Sequence, residues 1–159
     1  MTEKISAIII VTVIVATVLV PGCGGGSDGE NGVESIIPIQ LNNADGVGAL
    51  HIELVYNSSI IEVADVTLGS LGENGQVDFE VESPGRAIIG LIDATGMNGS
   101  GDVVEIRFTE NAGGKSSLVL ENVVATDAET LYDLAVQTSA GSIDTNNDTT
   151  TTPVINIGT

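Results

Sequence analysis

The stretch that decides the fold is the run GALHIELVYN at residues 48–57. Large apolar residues alternate there with small or polar ones, and successive side chains of a β-strand point to opposite faces. The alternation predicts a half-buried strand. Its buried face consists of Leu50, Ile52, Leu54 and Tyr56, and its outer face of Ala49, His51, Glu53 and Val55.

The same kind of pattern continues on both sides of this run. Short apolar segments are separated by Gly, Asn and Asp turns, and no segment shows the 3.6-residue stripe of an amphipathic helix. The sequence therefore predicts an all-β protein, a jelly-roll β-sandwich of about nine strands. The predicted strands are 35–41, 47–56, 60–67, 76–82, 86–93, 102–109, 116–121, 123–126 and 133–143.

The N-terminal segment has the pattern of an export signal. Lys4 precedes an uncharged aliphatic stretch, Ile5 to Val20, which is shorter than the roughly 20 residues of a spanning helix. The stretch ends at Val20-Pro21-Gly22-Cys23, which resembles a prokaryotic lipobox. We therefore expect a leader at 1–22 and lipidation of Cys23, the alternatives being an uncleaved helix or plain secretion. A flexible linker at 23–33, the β-sandwich at 34–143 and a Thr/Asn-rich tail at 144–159, disordered or a linker stub, should follow.

Composition narrows the function. The chain has 22 acidic residues against four Lys and Arg, and a net charge of −18, which repels phosphate backbones and argues against nucleic acid as a partner. Its single cysteine excludes an intrachain disulfide. With one histidine and no motif such as Gly-x-Ser-x-Gly, the sequence assembles no catalytic site, and we expect no enzyme activity.

One segment has the spacing of a calcium loop only at its start. Oxygen-bearing residues run from Asp144 to Asp148, but Thr149 and Ile155 stand where an EF-hand needs glycine and a bidentate acid. We predict a solvated polar segment there and no metal site.

In the order of its strands the chain resembles the cohesin family. The opening strand 37–43 and the segment 52–57 followed by Ile60-Ile61-Glu62-Val63 are similar to successive cohesin strands. Segments 88–93, 103–108 and 141–143 are similar to two interior strands and the closing strand. The resemblance implies a jelly roll that binds a dockerin module through a flat sheet face. The chain itself would need no cofactor, because calcium would be on the dockerin partner.

The resemblance also implies which residues form that face. It places Ala49, His51 and Glu53 on the first strand of the face. Leu91 and Asp93, which the alternation puts on one side of their strand, join it together with Ala94, and Leu131 joins it from a late loop. Compared with the best-known cohesins, Ala49 and His51 replace a polar Asn and Asp pair, and Ser83 replaces a common aromatic residue.

The function implied is non-catalytic capture of a dockerin-bearing protein at a prokaryotic cell surface, with a lipid anchor in the outer face of the cytoplasmic membrane. One alternative is a polysaccharide-binding module of related fold, which an exposed aromatic row would favour. The sequence has no Trp, two Tyr and two Phe. The other alternative is a structural envelope lipoprotein without a dedicated ligand.

Overall fold

The structure is a computed structural model that describes residues 33–158. The predicted leader, Cys23 and most of the predicted linker lie outside these residues. The described part contains strands and turns without helix, and hence no helix suited to crossing a membrane. Its ten strands are β1 Glu34–Val55, β2 Ile61–Leu68, β3 Gln76–Ser83, β4 Arg86–Glu110, β5 Lys115–Asp127, β6 Asp133–Leu134, β7 Val136–Ser139, β8 Gly141–Asp144, β9 Thr149–Thr151 and β10 Val154–Ile157.

The two longest strands, β1 and β4, each take part in both layers of a β-sandwich. In the front layer, residues 49–55 of β1 lie between residues 86–92 of β4 and strand β5, and β3 pairs with the outer side of β4. In the back layer, residues 34–41 of β1 lie between residues 101–109 of β4 and the parallel strand β10, with β2 and β7 outermost. The all-β sandwich prediction is confirmed.

β1 and β4 bend where they pass from one layer to the other. Because the bends do not end the strands, each of them is one long strand where the sequence predicted two. Among the residues expected to form a turn, 42–46, Ala44 remains paired with Gly99 of β4, with a register shift on either side of it. Asn43 and Gly46 have positive φ there, as does Gly96 on β4, and the side chain of Asn98 accepts a hydrogen bond from the Gly46 N–H at 2.9 Å. Turn-forming residues thus produce bulges that redirect continuous strands instead of ending them.

Other strand boundaries differ in the same way. The predicted strands 116–121 and 123–126 form one bulged strand, β5, and the predicted strand 133–143 divides into β6, β7 and β8. The count is therefore ten strands, close to the predicted nine.

The hydrophobic core lies between the two layers. Its residues extend along the chain from Ile37 to Ile157, and they include the predicted inward residues of the run 48–57. Aliphatic side chains make up nearly all of it, and Tyr56 packs edge-on against Phe108 with ring centres 6.1 Å apart. The described residues 33–158 form one compact unit. A fragment that begins at residue 24 therefore contains every core residue and is expected to fold independently.

The tail at 144–159 is the clearest correction to the sequence-based organisation. Instead of being disordered, it forms β9 and β10, and β10 pairs with β1 at Gln40, Leu41 and Asn42. Ile155 is fully buried in the core. The sequence did not predict β10, because its apolar alternation consists only of Ile155 and Ile157 and follows a polar, Thr-rich segment.

Candidate partner-binding face

The outer surface of the front layer is an open sheet face, which we call the display face. Four neighbouring strands contribute to it in the order β3, β4, β1 and β5. Its outward residues are Gln76, Asp78 and Glu80 on β3; Ile88, Gly90 and Ile92 on β4; Ala49, His51 and Glu53 on β1; and Glu121, Val124 and Thr126 on β5.

Strand pairing arranges these residues in rows across the sheet. Ile92 lies between Ala49 on β1 and Gln76 on β3, and the next row places Gly90 between His51 and Asp78. Ile92 is 65% exposed and Val124 is 42% exposed. Two aliphatic side chains of this face are therefore open to solvent and available for apolar contact.

A shallow depression of about 410 Å³ lies over these rows. Its lining comes from all four strands and includes Ala49, His51, Asp78, Gly90, Ile92 and Val124. Most of the surface that lines it is apolar, and its carboxylate comes from β3.

An ion-pair cluster occupies the end of the face near Arg86. The Arg86 guanidinium contacts the carboxylate of Glu53 and that of Glu121, the latter at 3.0 Å. Hydrogen bonding to Glu121 raises the pKa of Arg86. The imidazole Nε2 of His51 lies 3.8 Å from Glu53. The single positive charge of Arg86 is therefore shared between two carboxylates and offsets one of their two negative charges.

Comparison with known proteins decides the family. The family model for the cohesin domain matches residues 25–145, which is most of the chain. The chain belongs to the cohesin family. Cohesins are non-catalytic modules of protein–protein interaction.

Known relatives of this cohesin are distant in sequence. Cellulose-binding protein A of Clostridium cellulovorans is 24% identical over 102 residues, which is 64% of this chain and 5% of that protein. A non-cellulosomal cohesin from the hyperthermophilic archaeon Archaeoglobus fulgidus superposes with a TM-score of 0.61 at 24% identity, over 79% of this chain and 80% of that one. The sixth cohesin of Acetivibrio cellulolyticus scaffoldin B, solved with a Cel5 dockerin, gives 0.60 at 17% identity, over 73% and 91%.

The structure places three of the predicted face residues together on the outward side of this cohesin. Ala49, His51 and Glu53 follow one another along β1, and their inward neighbours Leu50 and Ile52 are buried. The predicted alternation of this strand is confirmed, and the role of its outer residues in binding stays a prediction.

The prediction that Leu91 lies on the display face is wrong. It is 1% exposed and lies opposite the inward-facing Leu50, so it belongs to the core, and its neighbour Ile92 faces solvent. The segment 88–92 is apolar at every position, so its own pattern does not decide which side faces out. The pairing with β1 does decide it, because opposite residues in a sheet share a face.

The prediction that Asp93 lies on the display face is also wrong, because its carboxylate is buried. Its Oδ1 accepts hydrogen bonds from the Thr95 hydroxyl at 2.6 Å and the Thr95 backbone N–H at 2.8 Å. These bonds, from the hydroxyl first and then the N–H, lower the pKa of Asp93. Asp93 therefore stabilises the bend after β4's first half, and its polarity gave no information about exposure.

Ala94 and Leu131 extend the face at its other end. Together with Ala49 and Ile92 they line a second depression of about 200 Å³. Leu131 is 75% exposed and has a φ of 60°, in a loop where the Asp127 carboxylate accepts bonds from Thr130. Sequence reasoning missed Ile92, Val124 and Tyr132. A signal for Ile92 was available, since it pairs with the outward Ala49 once β1 and β4 are taken as antiparallel neighbours.

The Asp144 segment forms a turn between β8 and β9. Asp144 accepts a bond from the Asn146 N–H at 3.1 Å and another from the Asn147 side-chain amide at 2.9 Å. The latter bond lowers the pKa of Asp144. Between residues 33 and 158, no three His, Cys, Asp or Glu side chains are grouped so as to hold a metal ion.

Proposed function

We propose that this cohesin captures a dockerin-bearing protein through the display face while anchored at the surface of a prokaryotic cell. The observation that carries the proposal is the exposed apolar centre of the face, Ile92 and Val124, on a sheet whose other side is core. Solved relatives that share the fold were determined with dockerins bound.

The dimensions of the face suit a folded partner. Four strands about 4.8 Å apart, with about seven residues each, give a platform of roughly 20 Å on each side. The loop that carries Leu131 and Tyr132, both three-quarters exposed, enlarges the platform beyond the sheet. The projected area of the platform, roughly 400 Å² before the loop is added, is of the same order as the roughly 800 Å² of accessible surface that each partner contributes to a standard interface.

Any calcium in such a complex would belong to the partner. Dockerin, as the family resemblance implies, is the module that carries calcium loops. Chelation should therefore release the partner without changing the unfolding temperature of this chain.

Anchoring is proposed from the sequence alone. The apolar leader and Cys23 are outside residues 33–158, and the support is the Val20-Pro21-Gly22-Cys23 motif. Expression of the full chain in a prokaryote, followed by mass spectrometry of its N-terminal peptide, should find a lipid on Cys23. A Cys23→Ser variant should leave the membrane fraction, and retention of that variant would contradict lipid anchoring.

The carbohydrate alternative lacks support from the face. Polysaccharide platforms use exposed aromatic rings. Of the four aromatic residues, Tyr56 and Phe108 are buried in the core and Phe79 packs partly against it, which leaves Tyr132 in a loop. No row of aromatic side chains crosses the sheet.

The test is capture from the secreted and envelope extract of the host, with residues 24–159 immobilised. Recovery of a dockerin-bearing protein in calcium, and its release on chelation, is the expected result. Ile92→Asp should abolish capture. Ile36→Asp is the matched control, because Ile36 is a strand isoleucine of 64% exposure on the back layer.

Three results would contradict the proposal. Equal loss in both variants would show a general effect of the added charge, and equal capture by both would show that the display face is not used. Recovery of no protein would favour a structural role, or carbohydrate binding if the bait also stayed on insoluble polysaccharide.

A further inference from the structure

Gly90 lies at the centre of the display face without a structural reason to be glycine. A Cβ atom built on it would meet no atom within 4 Å, and its φ is not among the positive values of the chain. By contrast, Gly48 and Gly72 are close to neighbouring backbone, and a Cβ there would approach to 2.6 and 2.5 Å. Glycine within a strand is unfavourable for stability, so its presence at residue 90 points to the space that it leaves open.

The space above Gly90 is part of the depression on the face, and we call it the Gly90 hollow. Along β4 it is bordered by Ile92, and Ala49 lies beside Ile92 on β1. Val124, which also lines the depression, is in the same row as Gly90, on the far side of His51. Across the strands it is flanked by His51 on β1 and by Asp78 on β3. An apolar trough beside a carboxylate is complementary to a side chain that has an aliphatic stem and a positively charged end group, such as lysine or arginine.

Asp78 has the charge to select that head. One of its oxygens accepts the N–H of Phe79 at 3.0 Å, and within residues 33–158 it forms no ion pair. Glu53 and Glu121, one row nearer to Arg86, share that arginine, whereas Asp78 lines the depression itself. Asp78, reinforced by the exposed Glu80 two residues further on, therefore leaves a net negative charge at one side of the hollow.

We propose that the Gly90 hollow receives a single lysine or arginine side chain of the bound partner. The aliphatic stem lies along Ile92 and Ala49, over the bare backbone of Gly90, and the cationic head pairs with Asp78. This inference rests on the proposed function, because it assigns a chemistry to the partner of the same face.

The direct test is an NMR titration of residues 24–159 with side-chain analogues. The probes are n-butylguanidinium and n-butylammonium, with pentan-1-ol as the neutral analogue. We expect saturable amide shifts centred on Gly90, Asp78 and His51 with both cations, and much weaker ones with the alcohol. Gly90→Leu should weaken binding at least about tenfold by filling the space. Gly90→Ala should have a smaller effect, because a methyl group leaves most of the hollow open.

Charge is tested with two variants on the same strand. Asp78→Asn should weaken cation binding about fivefold, the upper range for a solvent-exposed ion pair. Glu82→Gln removes the same charge from an exposed position of β3 outside the hollow and should leave binding unchanged. Equal binding of the alcohol, or cation shifts that persist in Gly90→Leu, would overturn the proposal, as would the absence of saturable shifts.

Partner capture separates this inference from the function on which it rests. If Ile92→Asp abolishes capture but Gly90→Leu does not, the face binds its partner without using the hollow, and the inference alone fails. If cations bind in the hollow while capture is unaffected by both variants, the proposed function fails and the hollow remains a cation site.

Discussion

Two neighbouring residues of β4 should separate stability from binding. Leu91 and Ile92 are both aliphatic and adjacent in the chain, yet Leu91 is 1% exposed and Ile92 is 65% exposed. Truncating each to alanine removes a similar amount of hydrocarbon from opposite sides of the same strand. The two variants therefore compare the core with the display face at one point of the fold.

The expected magnitudes differ by several kcal/mol. Leu91→Ala removes a buried side chain and leaves a cavity, which costs about 2–5 kcal/mol of unfolding free energy. Ile92→Ala acts on a mostly exposed residue and should cost less than about 1 kcal/mol, mainly through the lower strand propensity of alanine. With about 4 °C per kcal/mol for a domain of this size, the unfolding temperature should fall by roughly 8–20 °C for Leu91→Ala. For Ile92→Ala it should fall by less than about 4 °C.

The assay is thermal unfolding of residues 24–159, followed by far-UV circular dichroism, with capture measured on the same preparations. Ile92→Ala should weaken partner capture at a temperature where it is fully folded. Leu91→Ala should capture normally once measured well below its lowered unfolding temperature. The opposite ranking of unfolding temperatures would show that the strand is turned the other way, and the assignment of Ile92 to the face would be wrong.

Three further outcomes follow from the contacts. Ile155→Ala should cost about 2–5 kcal/mol because Ile155 is buried in the core, whereas Thr150→Ala on exposed β9 should cost little in the same denaturant titration. The lowered pKa of Asp93 means that its carboxylate stabilises the fold above its ordinary value of 3.8 and that this contribution is lost as pH falls. Asp93→Asn should therefore be less stable at pH 7 and lose less stability between about pH 5 and pH 2, and parallel curves would contradict the role of the Thr95 bonds. Leu131→Asp should weaken capture in a binding titration while the unfolding temperature stays within about 2 °C of wild type.

Local alternation was sufficient to predict which side of a strand is buried where its polar and apolar residues alternate clearly. In the run 48–57 the polar His51 and Glu53 mark the outer side, and the burial of Leu50, Ile52 and Leu54 follows the prediction. The all-β class and the two sides of this strand could be predicted from patterns of this kind, because period-two alternation depends only on the backbone.

Where the chain lacks that contrast, tertiary pairing supplied the missing information. Segment 88–92 is apolar throughout, so only its register with β1 shows that Ile92 faces out. Asn43 and Gly46 fit a turn or a bulge equally well, because both need positive φ, and the choice depends on the opposite strand. For β10, burial of Ile155 depends on a partner more than 100 residues away.

The two-layer course of β1 and β4 bears on how the face could bind. The strands that present it are held on their inner side by the core residues Leu50, Ile52 and Ile89, and they continue into the back layer. The backbone of the face is therefore already ordered in the folded protein, and it loses little further conformational entropy when a partner binds. Because the period of two separates inward from outward residues, Gly90 or His51 can be replaced with little effect on packing. Changes of outer residues can therefore alter the face without disturbing the core, and in this cohesin one row of the face combines His51, Gly90 and Asp78.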